Sequence, residues 1–66
     1  MTFQELLKTV NAWQEVRVEG KPQKTLDAVG TASSFLADSS EEITELKRKM
    51  VTDLYAEDDS LMVTLE

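Results

Sequence analysis

Residues 2–19 read TFQELLKTVNAWQEVRVE, and within them the hydrophobic period changes once. Phe3, Leu6, Leu7 and Val10 recur at i, i+3, i+4 and i+7, the spacing of one helical face. Thr2 is a good N-cap, and Glu5 three residues later completes a capping box. The spacing predicts a helix over 3–10 that Asn11 ends in the left-handed conformation. From Gln14 the period drops to two. Gln14, Val16 and Val18 alternate with Glu15, Arg17 and Glu19, as in a half-buried strand with one charged face. Val16 and Val18 are β-branched, which favours the extended state, and Gly20, Lys21 and Pro22 punctuate its end.

The middle of the chain admits two readings. Residues 24–29 can form a second strand hairpinned onto the first, with Leu26 and Ala28 facing the core. They can also continue as a helix, since Leu26, Val29, Ser33 and Leu36 approximate helical spacing. Gly30 disfavours the helix, because glycine inside one costs about 1 kcal/mol relative to alanine. The strand is therefore preferred, followed by a short helix over 31–37 capped by Thr31. A further helix is signalled by the cap residues Asp38, Ser39 and Ser40, with Ser39 and Glu42 as a capping box. Glu41 and Glu42 open it and Lys47, Arg48 and Lys49 close it, so both ends complement the macrodipole. Ile43, Leu46 and Met50 are its expected buried stripe. Residues 51–56 and 61–65 flank the polar turn Glu57, Asp58, Asp59 and Ser60, which predicts a closing β-hairpin. In its second strand Leu61, Val63 and Leu65 share one face, and Met62 and Thr64 the other.

These readings give one α+β domain over 1–66, a small antiparallel sheet of three to four strands with two or three short helices on one face. At 66 residues the chain is too short to split into domains, and its core must be small. An open sheet of so few strands leaves two edges available to a second copy or a partner. With 41% apolar residues the chain is not a disordered acidic tail. It contains no His and no Cys, which removes the imidazole base, the thiolate and the ordinary zinc ligands. The absence of Cys agrees with a cytoplasmic protein, and no cofactor is expected. Met1 opens directly into an amphipathic segment, so the chain is expected to begin at its natural methionine without a signal peptide. The longest uncharged run, residues 28–37, is half of the roughly 20 residues a membrane helix needs.

The formal charge is −6, and it is unevenly placed. Residues 1–37 hold four acids and four bases, whereas residues 38–66 hold nine acids and three bases. Two clusters carry the excess: Asp38, Glu41, Glu42 and Glu45 around one helix start, and Asp53, Glu57, Asp58 and Asp59 around the hairpin. One reading is a solvated face of caps and turn formers. The other is a negative patch that docks on a basic surface, where clustered carboxylates imitate phosphate spacing and compete for the same Lys and Arg side chains. Trp13 and Tyr55 are the large amphipathic aromatics. Trp13 lies out of phase with Val16 and Val18, so it either covers the end of the core or anchors an interface. Phe35 is most simply core.

Catalysis finds little support. Glu57, Asp58 and Asp59 are adjacent carboxylates, but acid–base work needs one of them in an apolar pocket, and a hairpin tip is wet. The same loop lacks the alternating ligands, the glycine and the distal Glu of an EF-hand. Ser33, Ser34, Ser39 and Ser40 have no His to activate them and read as caps and turn formers. A helix-turn-helix over 25–50 would place Glu41 and Glu42 where a recognition helix meets phosphate. Lys47, Arg48 and Lys49 are accounted for by the helix end and do not make a nucleic-acid site.

Several stretches, taken together, resemble small proteins of bacteriophages and prophages of low-GC Gram-positive bacteria. They are TFQELL at 2–7, EVRV at 15–18, GTA at 30–32 ahead of Phe35 and Leu36, and LYAEDDSLMV at 54–63. The likeness covers most of the chain as a layout, and it carries no catalytic residue. It implies an accessory protein of a mobile element. Many such small acidic proteins, anti-CRISPR proteins among them, act by binding and blocking a host protein. The function expected is thus a non-enzymatic acidic inhibitor of a host protein with a basic nucleic-acid-binding surface. Its expected contacts are Glu41, Glu42, Glu45, Asp53, Glu57, Asp58, Asp59, Trp13 and Tyr55, with no direct nucleic-acid or membrane binding. The alternatives are a structural homodimer joined through a strand edge and a small DNA-binding regulator.

Overall fold

Thr2 does what its position predicts. Its hydroxyl accepts from the Glu5 amide at 3.2 Å, and the Glu5 carboxylate accepts from the Thr2 amide at 2.8 Å. This capping box starts α1 (Phe3–Thr9) in the computed structural model, which describes residues 1–19 and 26–66 and only the backbone of Leu26 and Asp27. Then follow β1 (Glu15–Glu19), β2 (Leu26–Thr31), α2 (Ala32–Ala37), α3 (Glu41–Arg48), β3 (Val51–Glu57) and β4 (Ser60–Leu65). Gly20, Lys21 and Pro22, read as the end of the first strand, lie outside the described residues, as do the start of the second predicted strand and the side chain of Leu26.

Two termini differ from expectation. Asn11 does not end α1 in the left-handed conformation; the helix closes at Val10, which is extended. The Asn11 side chain instead accepts from the Trp13 amide at 2.8 Å, and its backbone carbonyl accepts from the Gln14 amide at 2.9 Å, so Asn11 builds a turn. At α3 the cap is Ser40 rather than Ser39. The Asp38 carboxylate accepts from the Ser40 amide at 2.8 Å, and the Ser40 hydroxyl accepts from the Ile43 amide at 3.4 Å. Met50 falls beyond α3 and is 48% exposed, so Ile43 and Leu46 alone turn inward from that helix.

The sheet has the order β2-β1-β4-β3. Its two outer pairs, β1 with β2 and β3 with β4, are antiparallel as expected. The central pair is parallel, with Val16 opposite Leu61 and Val18 opposite Val63. A parallel pair needs a crossover, and β2, α2, α3 and β3 together supply it. Three helices and a four-stranded sheet make a small α+β fold.

The core lies between the sheet and the helices. Phe3, Leu6 and Leu7 of α1 and Ala32 and Phe35 of α2 pack on Val16, Val18, Val63 and Leu65. The Phe3 and Phe35 rings meet edge to face with centroids 5.4 Å apart, a favoured aromatic geometry. Gly30 permits the close approach of α2 to β2: a Cβ there would sit 2.8 Å from the Ser34 hydroxyl and 3.5 Å from the Phe35 ring. Lys47 of α3 ties that helix to the end of α2 by donating to the carbonyls of Asp38 at 2.8 Å and Leu36 at 3.4 Å. One member of the basic triplet is thus committed to the fold. Among the described residues no helix is long and apolar enough to cross a membrane.

Candidate interaction surface

The strand register decides what the second face of the sheet presents. With Val16 and Val18 turned to the helices, Glu15, Arg17 and Glu19 point the other way, opposite Ser60, Met62 and Thr64 of β4. On β3 the residues paired with those three, Glu57, Tyr55 and Asp53, share the same face. This open face therefore carries Glu15, Glu19, Asp53 and Glu57 around Tyr55, Met62, Arg17 and Val29. The Tyr55 hydroxyl donates to the Glu19 carboxylate at 3.0 Å, reaching from β3 across β4 to β1. Met62, the register partner of Tyr55 on β4, is only 8% exposed on this face. Donation to Glu19 raises the phenol above its ordinary pKa of 10.0, with desolvation and the carboxylates of Glu19, Glu57 and Asp53 acting in the same direction. Glu15 is held from two sides, by the buried Ser60 hydroxyl at 3.2 Å and by Arg17 at 3.5 Å.

The end of this sheet gathers a second set. β3 and β4 are joined by Asp58 and Asp59 alone, with φ of 49° and 64°. Positive φ at both central residues is the type I′ geometry that Asn-Gly fits best. The Gln14 side chain donates to the Asp59 carbonyl at 2.8 Å, which ties the loop after α1 to the hairpin turn. Trp13, next in sequence, is 81% exposed. It does not cover the end of the core. Between these parts lies a cleft of about 460 Å³ lined by apolar Val10, Ala56 and Leu61 and polar Asn11, Gln14 and Asp59.

The nine candidate contact residues therefore separate. Asp53, Tyr55, Glu57, Asp58 and Asp59 lie together along β3 and its turn, with Trp13 at the same end of the molecule. Glu41, Glu42 and Glu45 stand elsewhere, on α3 in the helix layer. Glu42 and Glu45 flank a groove of about 270 Å³ against Ala28 of β2, at the sheet edge opposite β3. Glu15 and Glu19 join the β3 group, although the first half of the chain is neutral overall. The period-two alternation already assigned them to one charged face; their neighbours come from a pairing 45 residues apart in sequence. Among the described residues no three carboxylates converge as metal ligands. No protein-family profile, curated protein or solved structure matches the chain.

Proposed function

We propose that this protein is a non-catalytic acidic binding protein that works in the host cytoplasm, a phage-type inhibitor of the anti-CRISPR kind. It blocks a nucleic-acid-binding protein by occupying that protein's basic surface. The observation that carries this reading is the position of Trp13. Burying an aromatic of that size is worth about 3 kcal/mol, yet it stands 81% exposed at the end of the sheet where Asp58 and Asp59 form the turn. An exposed indole at the same end of the sheet as a carboxylate cluster has the composition of an interface anchor with electrostatic steering around it. The phage-like layout of the chain supports the same reading.

Affinity capture tests it. The immobilised protein should retain a nucleic-acid-binding protein from a bacterial lysate, and duplex DNA or rising salt should release that protein. Reversing Glu57, Asp58 and Asp59 to Lys, or replacing Trp13 with Ala, should abolish retention. Retention of the same protein by the charge-reversed variant refutes the reading. A second reading, a homodimer joined through β3, draws on the exposed Leu54 and Tyr55 of that edge strand. Sedimentation as a monomer at high micromolar concentration refutes it.

A further inference from the structure

The outer edge of β3 is closed at its start and open further along. β3 is terminal in the sheet, so among the described residues one side of its backbone has no neighbouring strand. The N-terminal residues close only its beginning. The Val51 amide donates to the Met1 carbonyl at 2.9 Å, and Thr2 bridges to Met50. The register irregularity against β4 also lies at this end, between Val51 and Asp53. Beyond it, residues 53–57 run in regular register with β4, and every one of them is exposed. Edge strands are commonly guarded by charged side chains, proline or a bulge. Residues 53–57 contain no lysine, proline or bulge. Their guards are the carboxylates of Glu57 and of Asp53, which accepts from the Leu54 amide at 3.0 Å and would exchange that bond for a basic partner.

The chemistry along that edge is ordered. Asp53, Tyr55 and Glu57 face the open side, while Leu54 and Ala56 face the helix side. Leu54 is 44% exposed although its strand neighbour Val63 is fully buried. Ala56 continues into the apolar lining of the cleft formed with Val10 and Leu61. From Met50 to Glu66 the chain has five acids and no base. A segment laid along this edge meets carboxylates at both ends of one face and an apolar strip with a cleft on the other.

We propose that residues 53–57 of β3 dock the partner by strand addition. The occupant is an extended segment whose five-residue core begins and ends with Lys or Arg and has apolar residues at its second and fourth positions. This rests on the reading above that the partner is basic, and it specifies how that partner is held. The terminal bases pair across the added strand with Asp53 and Glu57, and the middle residue lies against Tyr55. The apolar residues cover Leu54 and Ala56, one of them entering the cleft. A second copy of this chain is a poor occupant of the same edge, because antiparallel self-pairing about Tyr55 sets Asp53 of one copy opposite Glu57 of the other.

The probe is the acetylated, amidated peptide Ser-Lys-Val-Thr-Val-Lys-Ser, titrated into the isotope-labelled protein. Amide shifts should concentrate at 53–57 and slow hydrogen exchange there. An analogue N-methylated at alternate residues keeps its charge but cannot pair; it should bind at least tenfold more weakly. The Asp53→Lys, Glu57→Lys double variant should lose the peptide and accept the counterpart with Glu in place of both Lys. Equal binding of the N-methylated peptide, or shifts centred on 41–45, overturns strand addition and leaves the acidic-docking reading intact. No binding of the peptide by a protein that still captures a DNA-displaceable partner overturns it too. Loss of both the peptide and any such partner removes both proposals. Concentration-dependent protection of 53–57 without peptide would assign the edge to a second copy instead.

Discussion

Replacing Asp58-Asp59 by Asn-Gly should stabilise the protein and weaken its binding. Both aspartates hold positive φ, 49° and 64°. Left-handed backbone costs an L-residue roughly 1–2 kcal/mol, with Asp toward the low end because its side chain can satisfy local backbone groups. Glycine at Asp59 removes about 1 kcal/mol of that strain, and asparagine at Asp58 a smaller part. The greater freedom of glycine in the unfolded chain returns about 0.5 kcal/mol. Relief of repulsion with Glu57 adds to the gain, leaving a net of about 1 kcal/mol. For a domain of this size that is a rise in Tm of about 4–8 °C. Circular dichroism at 222 nm is the suitable signal, since Trp13 is already 81% exposed and its emission changes little on unfolding. Repeating the melt in 1 M salt, where the Debye length is about 3 Å, removes the repulsive part and keeps the backbone part. If the measured affinity for a basic partner falls while Tm rises, the turn trades stability for its carboxylates, as strained functional sites do. An unchanged or lower Tm refutes this: the turn would then be unstrained, and its aspartates would need no explanation from binding.

Three other outcomes follow from individual contacts. The chain has one tyrosine, so absorbance at 295 nm titrates Tyr55 alone. Its midpoint should lie above 10.0, and Glu19→Gln should lower it. Because the folded pKa is the raised one, the stability this contact contributes is complete below pH 10 and is lost as pH climbs through the folded value. Glu5 and Asp38 behave in the opposite sense: hydrogen bonds from Thr2 and from Ser40 lower both below their ordinary values of 4.5 and 3.8. Their contribution is present above those values and lost as pH falls through the folded ones, so Glu5→Gln should flatten the acid limb of a thermal-melt series. Gly30→Ala should cost about 1–3 kcal/mol of overpacking in a urea melt, and adding Ser34→Ala should recover much of it, since the Ser34 hydroxyl is the atom 2.8 Å from the new methyl.

How much of this was legible in the sequence follows the range of the interactions. α1 and its capping box are set within residues 2–10, and the reading of them needed nothing else. The closing hairpin was equally local, because two acidic residues between alternating runs leave few other geometries. The cap of α3 was misplaced by one residue, since Ser39 and Ser40 both suit the role. The Asp38 carboxylate decides it by holding the Ser40 amide. The parallel pairing of β1 with β4 could not be read, because it joins residues 45 apart and alternation alone does not specify a neighbour. Trp13 misleads for a related reason: its size argues for burial, and only the completed packing of Phe3, Leu7 and Phe35 leaves it no place inside.

The same long-range pairing changes what the negative charge means. In sequence the excess belongs entirely to residues 38–66 and divides into two clusters that look equivalent. In the fold they lie at opposite edges and in different layers, the α3 acids beside β2 and the hairpin acids on β3. A single flat basic surface cannot meet both. The β3 cluster also recruits Glu15 and Glu19 from the neutral half, and it adjoins Tyr55 and the end that carries Trp13, whereas Glu42 and Glu45 adjoin Lys49. Steering over a distance depends on total charge, but a contact depends on which charges share a face. Reversing Glu41, Glu42 and Glu45 should therefore slow association by weakening the overall field and leave dissociation unchanged. Reversing Asp53, Glu57 and Asp59 should accelerate dissociation. Surface plasmon resonance on the captured partner separates the two rates, and equal effects of the two variants on dissociation would mean that the partner wraps both layers rather than docking on one.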